Sequence, residues 1–325
     1  MSVQLTKLQK QLCNALQDGL PICQKPYDDL ARYLNSDEET ILREIVELKK
    51  AGVIRRICAL INYRALGLTG TLVAAHIPED ILQEVTEAVN NMDNVSHNYL
   101  REHHYNLWFT LQADSPKEID AAISNLSGRF GVDFHSLPIK RVFNLDVRFD
   151  ADGRSRPAGD IGQFPKEEPV NLNDTEKQVL SKLEEGLEVI SEPFDFLRSR
   201  GMETKDILRV IQELIYKGVI RRIAAVVDHR RLGFAANVLF CCKVPESKVV
   251  EAGEALSHFG MVSHCYARKP VENWPCNLYA MMHGRSMGEI QHTINKFTEA
   301  ERIDTFELLP TEAELKKEPV KHRFN

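Results

Sequence analysis

Between residues 5 and 50 the apolar positions recur at helical intervals. TKLQKQLCNAL, YDDLARYL and SDEETILREIVELKKAGV each gather their apolar side chains on one face and predict three short helices. The third offers Ser36 as N-cap, Glu39 as its capping-box partner and Gly52 as the stop. Three such helices, with a tight turn between the second and third, predict a helix-turn-helix. Beyond Gly52 the period shortens. IRRICALINY and TGTLVAAHIP predict strands joined by a glycine-bearing turn, the first as part of a wing hairpin. ILQEVTEAVNNM predicts a helix, VSHNYLR and YNLWFTLQA a strand pair, and PKEIDAAISNLSGRF a second helix. VDFHSLPIKRVFNLDVRFD ends in a strand. That order is βαββαβ, the ferredoxin-like pattern, with one sheet face under two helices and the other left for a partner.

The same plan then repeats. GVIRRI stands at 52–57 and again at 218–223, and the 29 residues from Gly52 align without gaps to those from Gly218. VSH recurs at 95 and 262, and NL at 106 and 277, so the second copy carries about four extra residues between them. DTEKQVLSKLEEGL, PFDFLRSRG and ETKDILRVIQELIYKG predict the second helix-turn-helix. The chain is a tandem duplication of class α+β. Its expected units are a winged helix-turn-helix at 1–60, a ferredoxin-like domain at 61–150, a linker at 151–171 rich in Gly, Pro and charge, a second winged helix-turn-helix at 172–226 and a second ferredoxin-like domain at 227–325.

Composition narrows the function. A formal net charge of −6 argues against broad nucleic-acid binding, which needs clustered cations, but leaves room for a basic pocket. No segment has the roughly 20 apolar residues that span a bilayer, and the N-terminus lacks a signal-peptide core, so a cytoplasmic protein without membrane partners is expected. Seven cysteines, an odd number with no C-x-x-C, read as reduced thiols.

The distinctive chemistry lies in the strand pairs. SHNYLREHHYNLW carries His97, Tyr99, Arg101, His103 and His104; SHCYARKPVENWPCNLYAMMHG carries His264, Tyr266, Arg268 and Trp274. Alternate residues of a strand share a face, so His97, Tyr99, Arg101 and His103 point one way, as do His264, Tyr266 and Arg268. A face of His, Tyr and Arg is a poor core face and suits the wall of an anion-accepting cavity. His76 and His229 read as structural or surface histidines, and His283, after YAMM, as a strand-end residue. The paired arginines Arg55–Arg56 and Arg221–Arg222 must diverge along their strand, one able to cap helix carbonyls and the other to face the sheet domain.

A winged helix followed by βαββαβ resembles the Lrp/AsnC regulators, which would imply DNA binding or, without turnover, a heme sensor. The helices that would enter a DNA groove begin instead with Asp37, Glu38 and Glu39, and with Glu203 and Asp206, which repel phosphates. The GVIRRI hinges together with SHNYLREHHYNLW and SHCYARKPVENWPCNLYAMMHG resemble more closely the siroheme decarboxylases, whose two related subunits occur separately or fused. That resemblance spans 1–325. It implies loss of two acetate carboxyls of siroheme as CO2, giving didecarboxysiroheme for an alternative heme or d1-type heme pathway. It implies an intrachain pseudo-dimer, or a homodimer of such chains, with no cofactor beyond the iron that arrives with the substrate. His97, His264, Tyr99 and Tyr266 would be catalytic, with His97 or His264 as axial iron ligand and His103 or His104 as the alternative ligand or acid. Arg55, Arg56, Arg101, His103, His104, Arg221, Arg222, Arg268 and Trp274 would bind substrate.

Overall fold

The computed structural model describes residues 3–145, 148–152, 169–271, 273–318 and 320, so most of the expected linker lies outside the described residues. The first half opens with α1 (Lys7–Asp18), α2 (Pro26–Tyr33) and α3 (Glu38–Lys50). Thr6 and Gln9 form a capping box on α1, and Pro26 starts α2 with its preset φ. The cap of α3 is Asp37, not the expected Ser36. Asp37 is extended, and its carboxylate accepts from the Thr40 N–H at 2.8 Å, so the helix starts one residue later. Gly52 closes α3 at φ 70°, the left-handed geometry a glycine supplies without strain.

Next come β1 (Ile54–Ile61), β2 (Thr69–Ala75), α4 (Leu82–Asn90), β3 (Val95–Arg101), β4 (Leu107–Ala113), α5 (Pro116–Phe130) and β5 (Phe134–Leu145). The second half runs α6 (Asp174–Glu185), α7 (Thr204–Tyr216), β6 (Ile220–Val227), β7 (Ala236–Cys242), α8 (Val249–Ser257), β8 (Val262–Arg268), β9 (Leu278–Gly284), α9 (Met287–Glu301) and β10 (Phe306–Lys317). PFDFLRSRG forms only a 3-10 turn at Arg198–Arg200, ended by Gly201 at φ 83°. Pro193 and Gly201 leave too short a run for a helix, yet Phe194 and Leu197 still reach the core.

The wing hairpin does not form. β1 pairs antiparallel with β6 of the other half, placing Ile57 opposite Ala225 and Cys58 opposite Ala224. Ile54, Ile57, Ile220 and Ile223 join helices from both halves in a single core, so β1 gains more burial from its twin than from a local hairpin.

Each βαββαβ unit has the ferredoxin-like strand order, β5-β2-β4-β3 and β10-β7-β9-β8. The open face expected to await a partner meets the other half. β10 pairs with β3 and β5 with β8, closing an eight-stranded antiparallel barrel with the helices outside. Side chains such as Trp108, Leu137, Trp274, Tyr279 and Leu309 fill its interior. Because neighbouring strands alternate in direction, β3 and β8 run the same way. Both begin at the floor of the barrel, next to the β1–β6 ribbon, and both end at the opposite mouth. Among the described residues no helix is long and apolar enough to cross a membrane.

The two halves interlock closely where α8 meets β5. A Cβ on Gly253 would stand 2.3 Å from the Phe143 ring. Gly253→Ala is therefore expected to cost about 1–3 kcal/mol, read as a lower denaturant midpoint; an unchanged midpoint would show that the ring gives way freely.

Candidate functional site

The two His-x-Tyr-x-Arg strands adopt nearly the same geometry. His97 stacks on Tyr99 with ring centroids 6.1 Å apart, and His264 on Tyr266 at 6.1 Å. The guanidinium of Arg101 lies 5.2 Å from the Tyr99 ring, and that of Arg268 lies 5.0 Å from Tyr266. Each histidine is oriented by the serine before it, with Nδ1 at 2.9 Å from Ser96 Oγ and at 3.0 Å from Ser263 Oγ. That contact leaves Nε2 as the nitrogen for chemistry. The serines were legible in the repeated VSH but carry no chemistry of their own.

Arg101 and Arg268 are placed differently from a substrate rim. Arg101 Nη1 donates to Leu309 O at 2.6 Å and to Thr311 Oγ1 at 3.1 Å; Arg268 Nη1 donates to Leu137 O at 2.6 Å. Both are buried and fasten one half's ladder to the other half's last strand. They hold the barrel seams while their charge supports the tyrosines from behind.

The paired arginines diverge as a strand requires. Arg55 reaches Asp228 at 2.8 Å and approaches Glu314 at 4.0 Å, while Arg221 Nη1 donates to Leu145 O at 2.8 Å, so both first arginines meet the barrel floor. The second arginines turn to helix ends. Arg222 Nε donates to Gln17 O in the last turn of α1, and Arg56 lies beside Gly186 at the end of α6. Arg64 and Arg230, aligned in the repeated R-x-L-G after each hinge, bring positive charge to Tyr266 and Tyr99. Sequence reasoning passed over them although their alignment was visible.

Burial and this positive field set the protonation states. Burial, then the Lys317 and Arg55 charges, lower the His97 pKa to about 4. Burial pushes Tyr99 and Tyr266 up to about 12. Asp228 is raised by burial, yet its hydrogen bond and charge pairing with Arg55 bring it below the usual carboxylate range. His229, read from sequence as a structural or surface group, and His283, read as a strand-end residue, are buried at the floor, 4.7 Å apart and both against Phe149. Burial lowers His229 to about 3 and takes His283 well below its ordinary value.

His103, His104 and Trp274 belong to the opposite end. Four residues of strand separate His264 from Arg268, a rise of roughly 13 Å, and the loops start beyond that. Trp274 packs on His103 at 5.2 Å and on Tyr105 and Trp108 at 5.6 Å, and its indole N–H donates to Tyr279 Oη at 2.7 Å. His104 stacks on His76 at 4.4 Å. These residues plug the mouth; the structure does not bring them to the His97 and His264 floor.

Known proteins resemble this chain along most of its length. Residues 65–144 and 231–316 match the AsnC-like ligand binding domain, and residues 9–55 match the siroheme decarboxylase NirDL-like HTH domain. The chain is 30% identical to the siroheme decarboxylase of Hydrogenobacter thermophilus over 96% of this chain and 94% of that one. It is 28% identical to the siroheme decarboxylase NirDL subunit of Paracoccus denitrificans over 88% of each. A solved siroheme decarboxylase NirDL in complex with an iron-uroporphyrin III analogue superimposes with a TM-score of 0.74 at 28% identity, covering 98% of this chain and 95% of that chain.

The lowered histidines make a pH prediction. With folded values of about 4 and about 3 against an ordinary 6.5, His97 and His229 bind protons more readily unfolded than folded. Their contribution to stability is complete above pH 6.5 and is lost as pH falls towards the folded values. Thermal melts of the unliganded chain should show Tm dropping between pH 6.5 and 5, before most carboxylates titrate. A flat Tm there would contradict the burial of neutral imidazoles.

Proposed function

The chain belongs to the siroheme decarboxylase family, and from that premise we propose that it removes two acetate carboxyls of siroheme as CO2 to give didecarboxysiroheme. The observation that carries the reading is the pair of His-Tyr ladders at the barrel floor, each facing a hinge arginine. Siroheme is a flat iron macrocycle with eight carboxylates, so it needs cations at its rim and an imidazole within reach of its iron. Arg55, Arg221, Arg64 and Arg230 hold the carboxylates that stay. His97 and His264 supply Nε2 as axial ligand or proton donor, and Tyr99 and Tyr266 stay protonated beside them as hydrogen-bond donors. Iron enters as part of the substrate, and the reaction proposed here draws on no further cofactor.

Each turnover breaks one C–C bond. The adjacent ring carbon is protonated, and the conjugated ring accepts the bonding electrons as CO2 leaves to give an exocyclic methylene. That methylene then takes a proton while the ring carbon gives its own back, so the acetate becomes a methyl with one proton consumed in all. An imidazole with a pKa of about 4 is neutral at pH 7 and a poor donor. A bound polycarboxylate raises that value by attraction, each unit being worth about 1.4 kcal/mol. Substrate thereby creates its own general acid.

Anaerobic incubation of the full chain with siroheme, followed by mass spectrometry, should show the loss of two CO2 molecules. His97→Ala and His264→Ala are each expected to slow overall conversion at least about a hundredfold, the scale of a lost general acid. Unchanged siroheme with a shifted iron spectrum would favour a sensor, and near-wild-type rates in both variants would remove the histidines from the mechanism.

A further inference from the structure

The two ladders match, but the strands beside them do not. β10 places Lys317 opposite His97, Glu314 opposite Tyr99 and Thr311 opposite Arg101. β5 places Leu145 opposite His264, Val142 opposite Tyr266 and Ile139 opposite Arg268. Both pairings contain bulges at equivalent points, so these are corresponding positions. Directly paired residues share a sheet face, which puts a polar wall along one ladder and an aliphatic wall along the other. Lys317 is half-buried, lies 3.3 Å from Glu314, and acts through its charge on His97, His229 and His283. Glu314 is shared with Arg55, so its own charge is compensated and it sets the position of two cations.

We infer that the two floor sites take successive stages of the same substrate, an assignment that rests on the decarboxylase reading above. The His97 site, walled by Lys317, takes the macrocycle with all its carboxylates. The His264 site, walled by Leu145 and Val142, takes the macrocycle in which one acetate has already become a methyl. The physical reason is desolvation. Arg221 and Arg64 serve the carboxylates at the rim of this site, but an edge carboxylate pressed against Leu145 and Val142 loses water and gains no partner from that wall, whereas a methyl loses nothing. Lys317 reverses that preference, since an incoming carboxylate pairs with its ammonium alongside Glu314. Loss of CO2 at the first site turns –CH2–COO⁻ plus a proton into –CH3, and that is the change of edge that suits the second wall.

Two arms test this with the full chain. Soret titrations compare iron uroporphyrin III, which keeps its acetates, with iron coproporphyrin III, which has methyls in their place. Lys317→Met should weaken iron uroporphyrin III about tenfold and iron coproporphyrin III less than about twofold, and Lys317→Arg should restore the first. Equal weakening of both porphyrins, or of neither, overturns the assignment. In the turnover arm, His264→Ala should accumulate the macrocycle that has lost one CO2, while His97→Ala should leave siroheme unconverted. Stalling of both variants at the same species would overturn the order. A wild-type chain that releases no CO2 would sink the decarboxylase reading instead, and the porphyrin titration would still judge the walls.

Discussion

The structure depends on strand pairing between its halves. A ferredoxin-like sheet on its own would expose the edges β3 and β5, or β8 and β10, together with one bare face. Pairing β10 with β3 and β5 with β8 satisfies all four edges and turns two bare faces into one packed interior. Arg101 and Arg268 reinforce the closure by donating across each seam to the carbonyls of Leu309 and Leu137. Every ladder residue therefore sits beside a strand from the other half, so neither site can be built by one half alone. The β1–β6 ribbon repeats the arrangement below the barrel and carries the hinge arginines under the floor.

Charge then explains why the floor is poised for an anion. His97, His229 and His283 are neutral because burial and nearby cations oppose their protonation. Arg55 pairs with Asp228 and approaches Glu314, which also pairs with Lys317. A polycarboxylate competes for those cations and supplies the negative potential that lets an imidazole take a proton. In the proposed mechanism binding and acid formation are thus one event, and the acid is made only where the substrate is.

The duplication, the ferredoxin-like order and the shared face of His, Tyr and Arg were legible in the sequence because each rests on local period. What failed was non-local. Nothing in IRRICALINY says that its partner lies in the other half, so the wing hairpin was the natural but wrong expectation. PFDFLRSRG kept the apolar residues of a helix while Pro193 and Gly201 removed the length to form one. The proximity of His103, His104 and Trp274 to the ladders in sequence concealed that a strand of seven residues carries them to the opposite end. Arg101 and Arg268 shared the ladder face as expected, but only the barrel showed that Nη1 of each donates to a carbonyl across a seam while Nε has no hydrogen-bond partner among the described residues. Lys317 and Glu314 stood in a segment with no motif and acquired meaning through register alone.

On the proposed mechanism the macrocycle lies at the barrel floor between the ladders and the β1–β6 ribbon. Anomalous diffraction at the iron edge, from crystals of the full chain loaded anaerobically with siroheme, tests it most directly. The account predicts an iron peak within coordination distance of Nε2 of His97 or His264. A peak at the mouth, beside His103, His104 and Trp274, would contradict it.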